Sequence, residues 1–226
     1  MRLRIFMILA VGTLFASSTL GQASGASLAP SLVAHGTARA ASPAAPEAAL
    51  LYSQNDNDSG NGITSQNFEA SFDAFDGQGA DDFTVPGGVR WGVKTVVVTG
   101  VYYNGPGPAA SETVSFYRDA GGLPGALISS QTLTGVDTGG SFNMTLPAFV
   151  RLRPGTYWVS VQANMDFTPN GQWGWETRTV MSGNGAAWQN PGNGFGTGCT
   201  SWANLLACIP TGGGPDLMFA LYGKAV

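Results

Sequence analysis

Short segments of the chain alternate polar and apolar residues with a period of two. The segment 141–146 (SFNMTL) alternates without exception, and the segments 112–118, 156–163 and 216–222 show the same period. Because successive side chains of a β-strand point to opposite faces, this pattern predicts strands that bury one face. The segment 93–103 is nearly continuous in Val, Thr and Tyr and predicts a central strand buried on both faces. Weaker strand candidates lie at 51–54, 67–72, 80–85, 126–134 and 173–178.

Glycine and asparagine mark the turns between these segments. Both residues tolerate the positive φ that tight hairpin turns require. A short helical turn is predicted near 201–207, with Thr200 or Ser201 as its cap. Many short strands and no long helical window predict an all-β fold, a two-sheet antiparallel sandwich that is jelly-roll-like or immunoglobulin-like. Asn-Gly dipeptides occur at 61–62, 104–105, 170–171, 184–185 and 193–194.

Length and composition bound the number of domains and the classes of partner. The chain has 226 residues with 33 Gly and 13 Pro, which fits one β-sandwich domain and a processing segment. The net charge is −4, and the sequence shows no basic patch. Because phosphate binding needs clustered Lys and Arg, the sequence argues against nucleic acid as a partner.

The N-terminus has the order of an export signal. Arg2 and Arg4 precede an apolar run over 5–16, and small residues with cleavage contexts at 21–23 or 24–26 follow. The apolar run is shorter than the roughly 20 residues that a membrane span needs. We therefore predict a signal peptide, with an uncleaved N-terminal anchor as the alternative.

Three regions follow from these features. Residues 1–23 are the predicted signal peptide, and residues 24–49, dominated by Ala, Ser, Pro and Gly, are a predicted flexible linker or pro-segment. Residues 50–226 are the predicted β-sandwich domain. We expect the protein to be secreted or extracytoplasmic, with no membrane span after signal cleavage.

The two cysteines support this location. Cys199 and Cys208 lie nine positions apart, and an isolated pair in an oxidising compartment usually forms a disulfide. A metal or redox pair is the alternative, but the spacing is not that of a CxxC motif and no histidine is near. A disulfide that closes so short a loop stabilises by about 2–3 kcal/mol in the chain-entropy model.

Several segments resemble non-catalytic β-sandwich modules of secreted bacterial proteins. These segments do not identify a single family. The resemblance covers most of residues 50–226. It implies the sandwich fold and the extracytoplasmic compartment, and it carries no activity to this chain. The matching segments are ADDFTV at 80–85, GGVRW at 87–91, TGVY at 99–102, VSFYRD at 114–119, GLPG at 122–125, LRPGTYWV at 152–159 and DLMFAL at 216–221.

The chain contains one histidine, His35, and it lies in the predicted linker. The sandwich domain therefore lacks the residue that Ser-His and Cys-His nucleophiles, His-ligated zinc and many general bases require. A glycoside hydrolase would need two facing carboxylates, whereas Asp81 and Asp82 are adjacent in a strand and point to opposite faces. We predict a non-enzymatic protein without catalytic residues, and a glycoside hydrolase is an alternative.

Acidic residues are concentrated between positions 50 and 89, where no Lys or Arg occurs. The segment 56–62 (DNDSGNG) resembles part of a calcium loop, in which carboxylates and amides converge on a hard cation. The alternative is a solvated acidic turn. The candidate calcium ligands are Asp56, Asp58, Asp73, Asp76, Asp81 and Asp82.

Tryptophan is concentrated in the last third of the domain, among Gly, Asn and Gln. Exposed indole rings suit the C–H faces of sugars, although large aromatic side chains also fill sandwich cores. The sequence therefore predicts a structural or surface-interaction module, with a carbohydrate-binding module as the alternative. The expected partner is an extracellular glycan or a cell-surface protein. The candidate carbohydrate-binding residues are Trp173, Trp175, Trp188 and Trp202.

Overall fold

The structure, a computed structural model, describes residues 29–36 and 48–226. The predicted signal peptide 1–23 lies outside these residues. Among the residues described, no helix is long and apolar enough to cross a membrane.

Strands make up most of the described chain, and the helical elements are short. The helical elements are a 3₁₀ helix (Ala70–Phe75), α1 (Phe167–Asn170) and α2 (Leu205–Cys208). The strands are β1 (Val33–His35), β2 (Ala49–Ser53), β3 (Asp58–Thr64), β4 (Gln66–Asn67), β5 (Gln78–Val85), β6 (Trp91–Val98), β7 (Gly100–Tyr103), β8 (Ser111–Asp119), β9 (Pro124–Leu133), β10 (Val136–Thr138), β11 (Ser141–Leu152), β12 (Gly155–Asn164), β13 (Gln172–Arg178), β14 (Ala187–Gln189), β15 (Ala203–Asn204), β16 (Asp216–Leu217) and β17 (Phe219–Ala225).

The strands form three hydrogen-bonded sheets. Sheet A has the order β1-β3-β13-β16, with β7 also paired to β13. Sheet B has the order β10-β11-β6-β17-β2, and sheet C the order β15-β14-β5-β12-β8-β9, with β4 paired to β12. The pairs are antiparallel, except for the parallel pair of β4 and β12.

Sheets A and B are two halves of one bent layer. The chain passes from β6 in sheet B to β7 in sheet A through Thr99, and from β16 in sheet A to β17 in sheet B through Met218. At this bend the Thr99 N–H donates to the Met218 carbonyl at 3.2 Å, and the Met218 N–H donates to the Glu176 carbonyl at 2.9 Å. The fold is therefore all-β, with sheet C facing this layer, and the predicted fold class is confirmed.

The core lies between sheet C and the bent layer, and aromatic rings cross it. Phe83 of β5 contacts Phe219 of β17 with ring centroids 6.4 Å apart, and both side chains are buried. Gly79 of β5 marks the closest approach of sheets A and C, because an added Cβ would lie 3.1 Å from Ile63 Cδ1 and 3.2 Å from Leu217 Cδ1. Each fully buried large apolar side chain stabilises the fold by about 1.5–3 kcal/mol.

Residues 29–36, which fall in the range interpreted as a linker, contribute an edge strand to sheet A. In β1, Val33 pairs with Ile63 and His35 with Asn61 of β3. The Gln172 side chain donates to the Ser31 carbonyl at 2.8 Å, next to β1. An edge strand is held by backbone hydrogen bonds and needs little apolar alternation, so the composition of this segment carries no signal for it.

Two local predictions differ from the structure. The candidate strand 67–72 is instead the end of β4 followed by the 3₁₀ helix Ala70–Phe75, in which Phe72 and Phe75 contact each other with ring centroids 6.0 Å apart. The helical turn near 201–207 is α2, and its cap is Asn204, whose side chain accepts from the Leu206 N–H. Asn204 has an extended backbone and an acceptor side chain, as an N-cap requires.

Candidate functional site

Three of the four candidate sugar-binding tryptophans lie in the core. Trp173, Trp175 and Trp188 are fully buried, so their rings are inaccessible to a sugar. Strand alternation does place Trp173 and Trp175 on one face of β13, but that face is the one that packs between the layers. Each indole N–H has a backbone acceptor: Gly140 for Trp173 at 2.7 Å, Met218 for Trp175 at 2.8 Å and Thr64 for Trp188 at 2.8 Å.

Trp202 lies apart from the other three, on the outer face of sheet C. It is half-buried and packs edge-on against Tyr117, with ring centroids 5.8 Å apart. Both residues cover the buried Trp158, whose indole N–H donates to Asp119 at 3.0 Å. The four tryptophans therefore do not form a common exposed strip.

The predicted disulfide between Cys199 and Cys208 is confirmed. It closes the loop that follows β14, and Phe195 of this loop packs on Trp188 with ring centroids 6.0 Å apart. The glycine-rich loop thus forms a cover over a core tryptophan, which explains why this Trp-rich region is buried.

Five of the six candidate calcium ligands bind protein groups through their carboxylates, in different parts of the fold. Asp56 pairs with Arg178 at 2.6 Å, Asp58 accepts from the Gly60 N–H at 2.8 Å, and Asp76 accepts from the Phe68 N–H at 2.7 Å. Asp73 lies in the 3₁₀ helix. Within residues 29–36 and 48–226, no three His, Cys, Asp or Glu side chains form a group that could hold a metal ion. Calcium binding stays a prediction of the sequence.

Asp81 and Asp82 point to opposite faces of β5, as predicted. Asp81 accepts from the Gln54 side chain at 2.6 Å and from the Leu217 N–H at 2.7 Å in the core. Asp82 accepts from the Asn184 side chain at 2.8 Å on the outer face. Burial raises the pKa of each of these carboxyl groups.

A buried charge cluster, which we define as Asp81, Arg178 and Asp216, lies near the strand pair β13–β16. The Arg178 guanidinium, 4% exposed, donates to the fully buried Asp216 at 3.1 Å and also to Asp56 at the rim. Burial raises the pKa of Asp216 to about 6, and burial together with the nearby Asp216 raises the pKa of Asp81. The hydrogen bond from Arg178 lowers the pKa of the exposed Asp56. These charges have protein partners and serve the fold.

An open cavity at the end of sheet B has a different character. We call it the basic cleft; it has a volume of about 470 Å³ and lies at the end of sheet B, where β6, β11 and β17 run side by side. Its lining combines cationic and apolar residues and contains no Asp or Glu. The lining residues are Arg90, Trp91, Gly92, Phe149, Arg151, Leu152, Arg153, Lys224 and Val226.

Strand register places two cations of the basic cleft in one row across β11, β6 and β17. Gly92 of β6 pairs with Arg151 of β11 on one side and with Lys224 of β17 on the other. Neighbouring strands lie about 4.8 Å apart, so the backbones of Arg151 and Lys224 are about 10 Å apart across the glycine. Gly92 has no side chain between them and forms the floor of the cleft. Arg90 and Arg153 line the cleft at its end.

A bulge in β11 positions the aromatic wall of the basic cleft. Thr145 pairs with Thr95 and Val150 with Val93, so residues 146–149 stand opposite the single residue Lys94. The Lys94 ammonium donates to the carbonyls of Leu146 and Pro147 and lies 5.4 Å from the centre of the Phe149 ring. Phe149 thereby leans over the floor, where a Cβ on Gly92 would lie 3.3 Å from its ring. The Phe149 side chain remains 42% exposed.

The basic cleft gathers most of the cations of the described chain. Of the ten Lys and Arg residues, seven lie in the described residues, and five of these are at the cleft: Arg90, Lys94, Arg151, Arg153 and Lys224. In the described ranges, the ion pairs shorter than 4.0 Å are those of Arg178, so these five have no carboxylate partner there. The sequence-based conclusion that there is no basic patch is wrong for the folded protein. Strand pairing brings together cationic residues from 90–94, 151–153 and 224.

Comparisons with known proteins give one structural likeness. The sequence matches no protein-family model and no curated protein. Among solved structures, the chain is similar to the crystal structure of the cysteine protease and lectin-like domains of Cwp84, a surface layer associated protein of Clostridium difficile, with a TM-score of 0.43 and 13% sequence identity. The match covers 66% of this chain and 32% of that chain, so it spans about a third of the Cwp84 structure.

Proposed function

We propose that the protein is an extracytoplasmic, non-enzymatic surface-interaction module that binds an anionic ligand in the basic cleft. The observation that carries this proposal is the concentration of five cations around one cavity of a chain whose net charge is −4. Like charges held this close repel one another, and an anion between them relieves the repulsion. Cavities lined by one sign of charge also focus the field and attract ligands of the opposite charge.

The size of the cavity supports a binding role. Small-ligand sites in proteins occupy roughly 300–1,000 Å³, and the basic cleft falls in this range at about 470 Å³. A site of this size takes a small anion or a short stretch of an anionic polymer. It is open on the outer face of sheet B, so a long ligand can extend beyond it.

The chemistry of the lining supports a non-enzymatic role. The residues that line the basic cleft include no Asp, Glu, His, Ser or Cys, the side chains that supply most nucleophiles and general bases. The single histidine, His35, lies in the edge strand β1, 3.2 Å from the Asn61 side-chain oxygen. The arrangement suits binding and electrostatic recognition.

The disulfide supports the extracytoplasmic location. Cys199 and Cys208 are bonded, and structural disulfides persist in oxidising compartments. The signal peptide predicted for residues 1–23 is consistent with the same location.

Retention on immobilised polyanions tests the proposal. The wild type is applied to columns of polygalacturonate, dextran sulfate and polyphosphate, with neutral dextran as the blank. We expect retention on at least one polyanion and elution by salt, because exposed charges are screened by salt. Arg151→Glu should elute at clearly lower salt than the wild type.

Arg118→Glu is the matched control. Arg118 is exposed on β8 of sheet C and does not line the basic cleft, and the substitution changes the net charge by the same amount. If the wild type passes through all three polyanion columns, or if both variants shift the elution equally, the cleft is not the binding site.

A further inference from the structure

We infer that the anionic ligand of the basic cleft is a polysaccharide, with a sugar ring stacked on Phe149 and its acidic group held between Arg151 and Lys224. This inference rests on the proposed function and goes further, since it names the ligand class. It depends on the aromatic wall and the glycine floor, two features that binding of a simple anion would not need.

The aromatic wall is built into the fold. Phe149 belongs to the group of large apolar side chains that stay exposed, although it stands on a strand whose neighbours Val150 and Leu152 are buried in the core. The Lys94 ammonium holds the ring in place, because it donates hydrogen bonds to two carbonyls of the bulge and lies over the ring. The ring packs over Gly92, and its remaining exposed part offers an apolar surface to a ligand.

The glycine floor makes room for that ring. Gly92 lies between Arg151 and Lys224 in the strand register, and any side chain at this position would project into Phe149. Gly92 does not have a positive φ, so the backbone here does not require glycine. The missing side chain therefore lets the Phe149 ring lie over the floor, with a cation on each side of it.

Sugar rings with acidic groups match this combination. Such a ring has a flat C–H face that stacks on an aromatic side chain, and its carboxylate or sulfate is carried at the ring edge. Arg presents a planar fork that binds carboxylate or sulfate with two hydrogen bonds, and Lys supplies a compact point charge. Arg90 and Arg153 extend the charge toward the next residue of a polymer.

Other polyanions match less well. Polyphosphate has no apolar face and gains nothing from Phe149. A nucleic acid strand carries one charge per nucleotide along its whole length and requires a long basic surface, whereas this chain has a pI of about 4.7.

The test measures dissociation constants for four soluble probes with the whole folded protein. The probes are polygalacturonate, dextran sulfate, polyphosphate and an oligothymidylate of matched charge. We expect the wild type to bind polygalacturonate or dextran sulfate at least about ten-fold more tightly than polyphosphate or the oligothymidylate, at equal ionic strength. Tight binding to either acidic polysaccharide supports the inference, and the better of the two identifies the acidic group.

Two uncharged substitutions separate stacking from charge. Phe149→Ala should weaken polysaccharide binding about five-fold and polyphosphate binding less than two-fold, because stacking contributes to the former alone. Gly92→Leu should displace the Phe149 ring and weaken polysaccharide binding by about ten-fold or more. Arg118→Glu should leave all four constants within about two-fold. Far-ultraviolet circular dichroism confirms that each variant is folded.

The outcomes distinguish the two proposals. If polyphosphate or the oligothymidylate binds as tightly as the polysaccharides, or if Phe149→Ala weakens every probe equally, the sugar inference is wrong and the anion-binding function stands. If no probe binds the wild type, or if Arg151→Glu has no larger effect than Arg118→Glu, the proposed function itself fails.

Discussion

The buried charge cluster and the basic cleft place charged residues under opposite conditions. In the cluster, Arg178 is buried and bound by Asp216 and Asp56, and the buried Asp81 accepts from Gln54 and from the Leu217 N–H, so each charge has a protein partner. In the basic cleft, Arg151 and Lys224 are exposed and no carboxylate of the described residues lies within ion-pair distance. Charges of the first kind hold strands together, whereas charges of the second kind are available to a ligand. The predictions below test this contrast.

The largest effect is expected from removing the cation of the buried charge cluster. Arg178→Met should lower the free energy of unfolding by about 3–5 kcal/mol, because it leaves Asp216 buried without its partner. Urea denaturation measures the change. The matched control is Arg118→Met on the exposed face of β8, which should cost less than about 0.5 kcal/mol. A loss below about 1 kcal/mol for Arg178→Met would show that the cluster does not serve stability.

The buried acids should make stability depend on pH. The pKa of Asp216 is raised from 3.8 to about 6 by burial, and that of Asp81 is raised for the same reason. The folded state therefore binds protons more tightly than the unfolded state. The resulting stabilisation is complete below the ordinary pKa and is lost as the pH rises through the folded-state pKa. We expect the free energy of unfolding to fall by on the order of 2–3 kcal/mol between pH 4 and pH 6.

Urea denaturation at intervals from pH 4 to pH 7 measures this slope. Asp216→Asn should flatten it, because the amide does not titrate and its oxygen can still accept from the Ser182 N–H, as Asp216 does at 2.6 Å. A stability that rises over this range would contradict the assignment.

Substitution of Lys94 should affect both the stability of the fold and ligand binding in the basic cleft. It belongs to the basic cleft by position, yet it donates to the carbonyls of the bulge in β11. Lys94→Met should therefore cost about 1 kcal/mol of stability and weaken ligand binding as well, through the misplaced Phe149. Lys224→Met is the control, since Lys224 is exposed and should affect binding without a measurable loss of stability. Equal losses of stability in the two variants would remove the distinction.

The smallest effect is expected from removing charge at the basic cleft. Arg151→Ala should change the free energy of unfolding by less than about 0.5 kcal/mol, because an exposed side chain without an ion-pair partner contributes little. The double variant with Lys224→Ala should be as stable as the wild type or slightly more stable at low salt, since repulsion is relieved. A loss above about 1 kcal/mol would indicate a structural role for these residues.

Much of the fold follows from local patterns in the sequence. Period-two alternation at 156–163 predicted β12. The runs at 93–103 and 216–222 were each predicted as one strand, and the structure divides them at Thr99 into β6 and β7 and at Met218 into β16 and β17. The disulfide followed from there being two cysteines and a close spacing. These features are local, or depend on a single pair, so the sequence is enough to predict them.

The candidate site could not be predicted in the same way. The period-two pattern correctly placed Trp173 and Trp175 on one face, but a pattern does not tell which face is covered by a second sheet. Likewise Arg90, Arg151 and Lys224 are far apart in sequence, so no local run of basic residues predicts the basic cleft. A signal was present at one point, where Gly92 takes an outward-facing position of β6, since glycine inside a strand often marks a bend or a close approach.

The sequence by itself determined the all-β class, several of the longer strands, the disulfide and the absence of histidine from residues 50–226. Only the tertiary structure decided which charges are paired and which are free, because β11, β6 and β17 are joined in register by backbone hydrogen bonds between distant segments. Backbone hydrogen bonds between strands do not depend on side-chain charge. The same pairing can therefore place Arg151 and Lys224 on either side of Gly92 and bury Arg178 against Asp216. The chemistry of the surface is for this reason a property of strand register, and the composition of the chain does not reveal it.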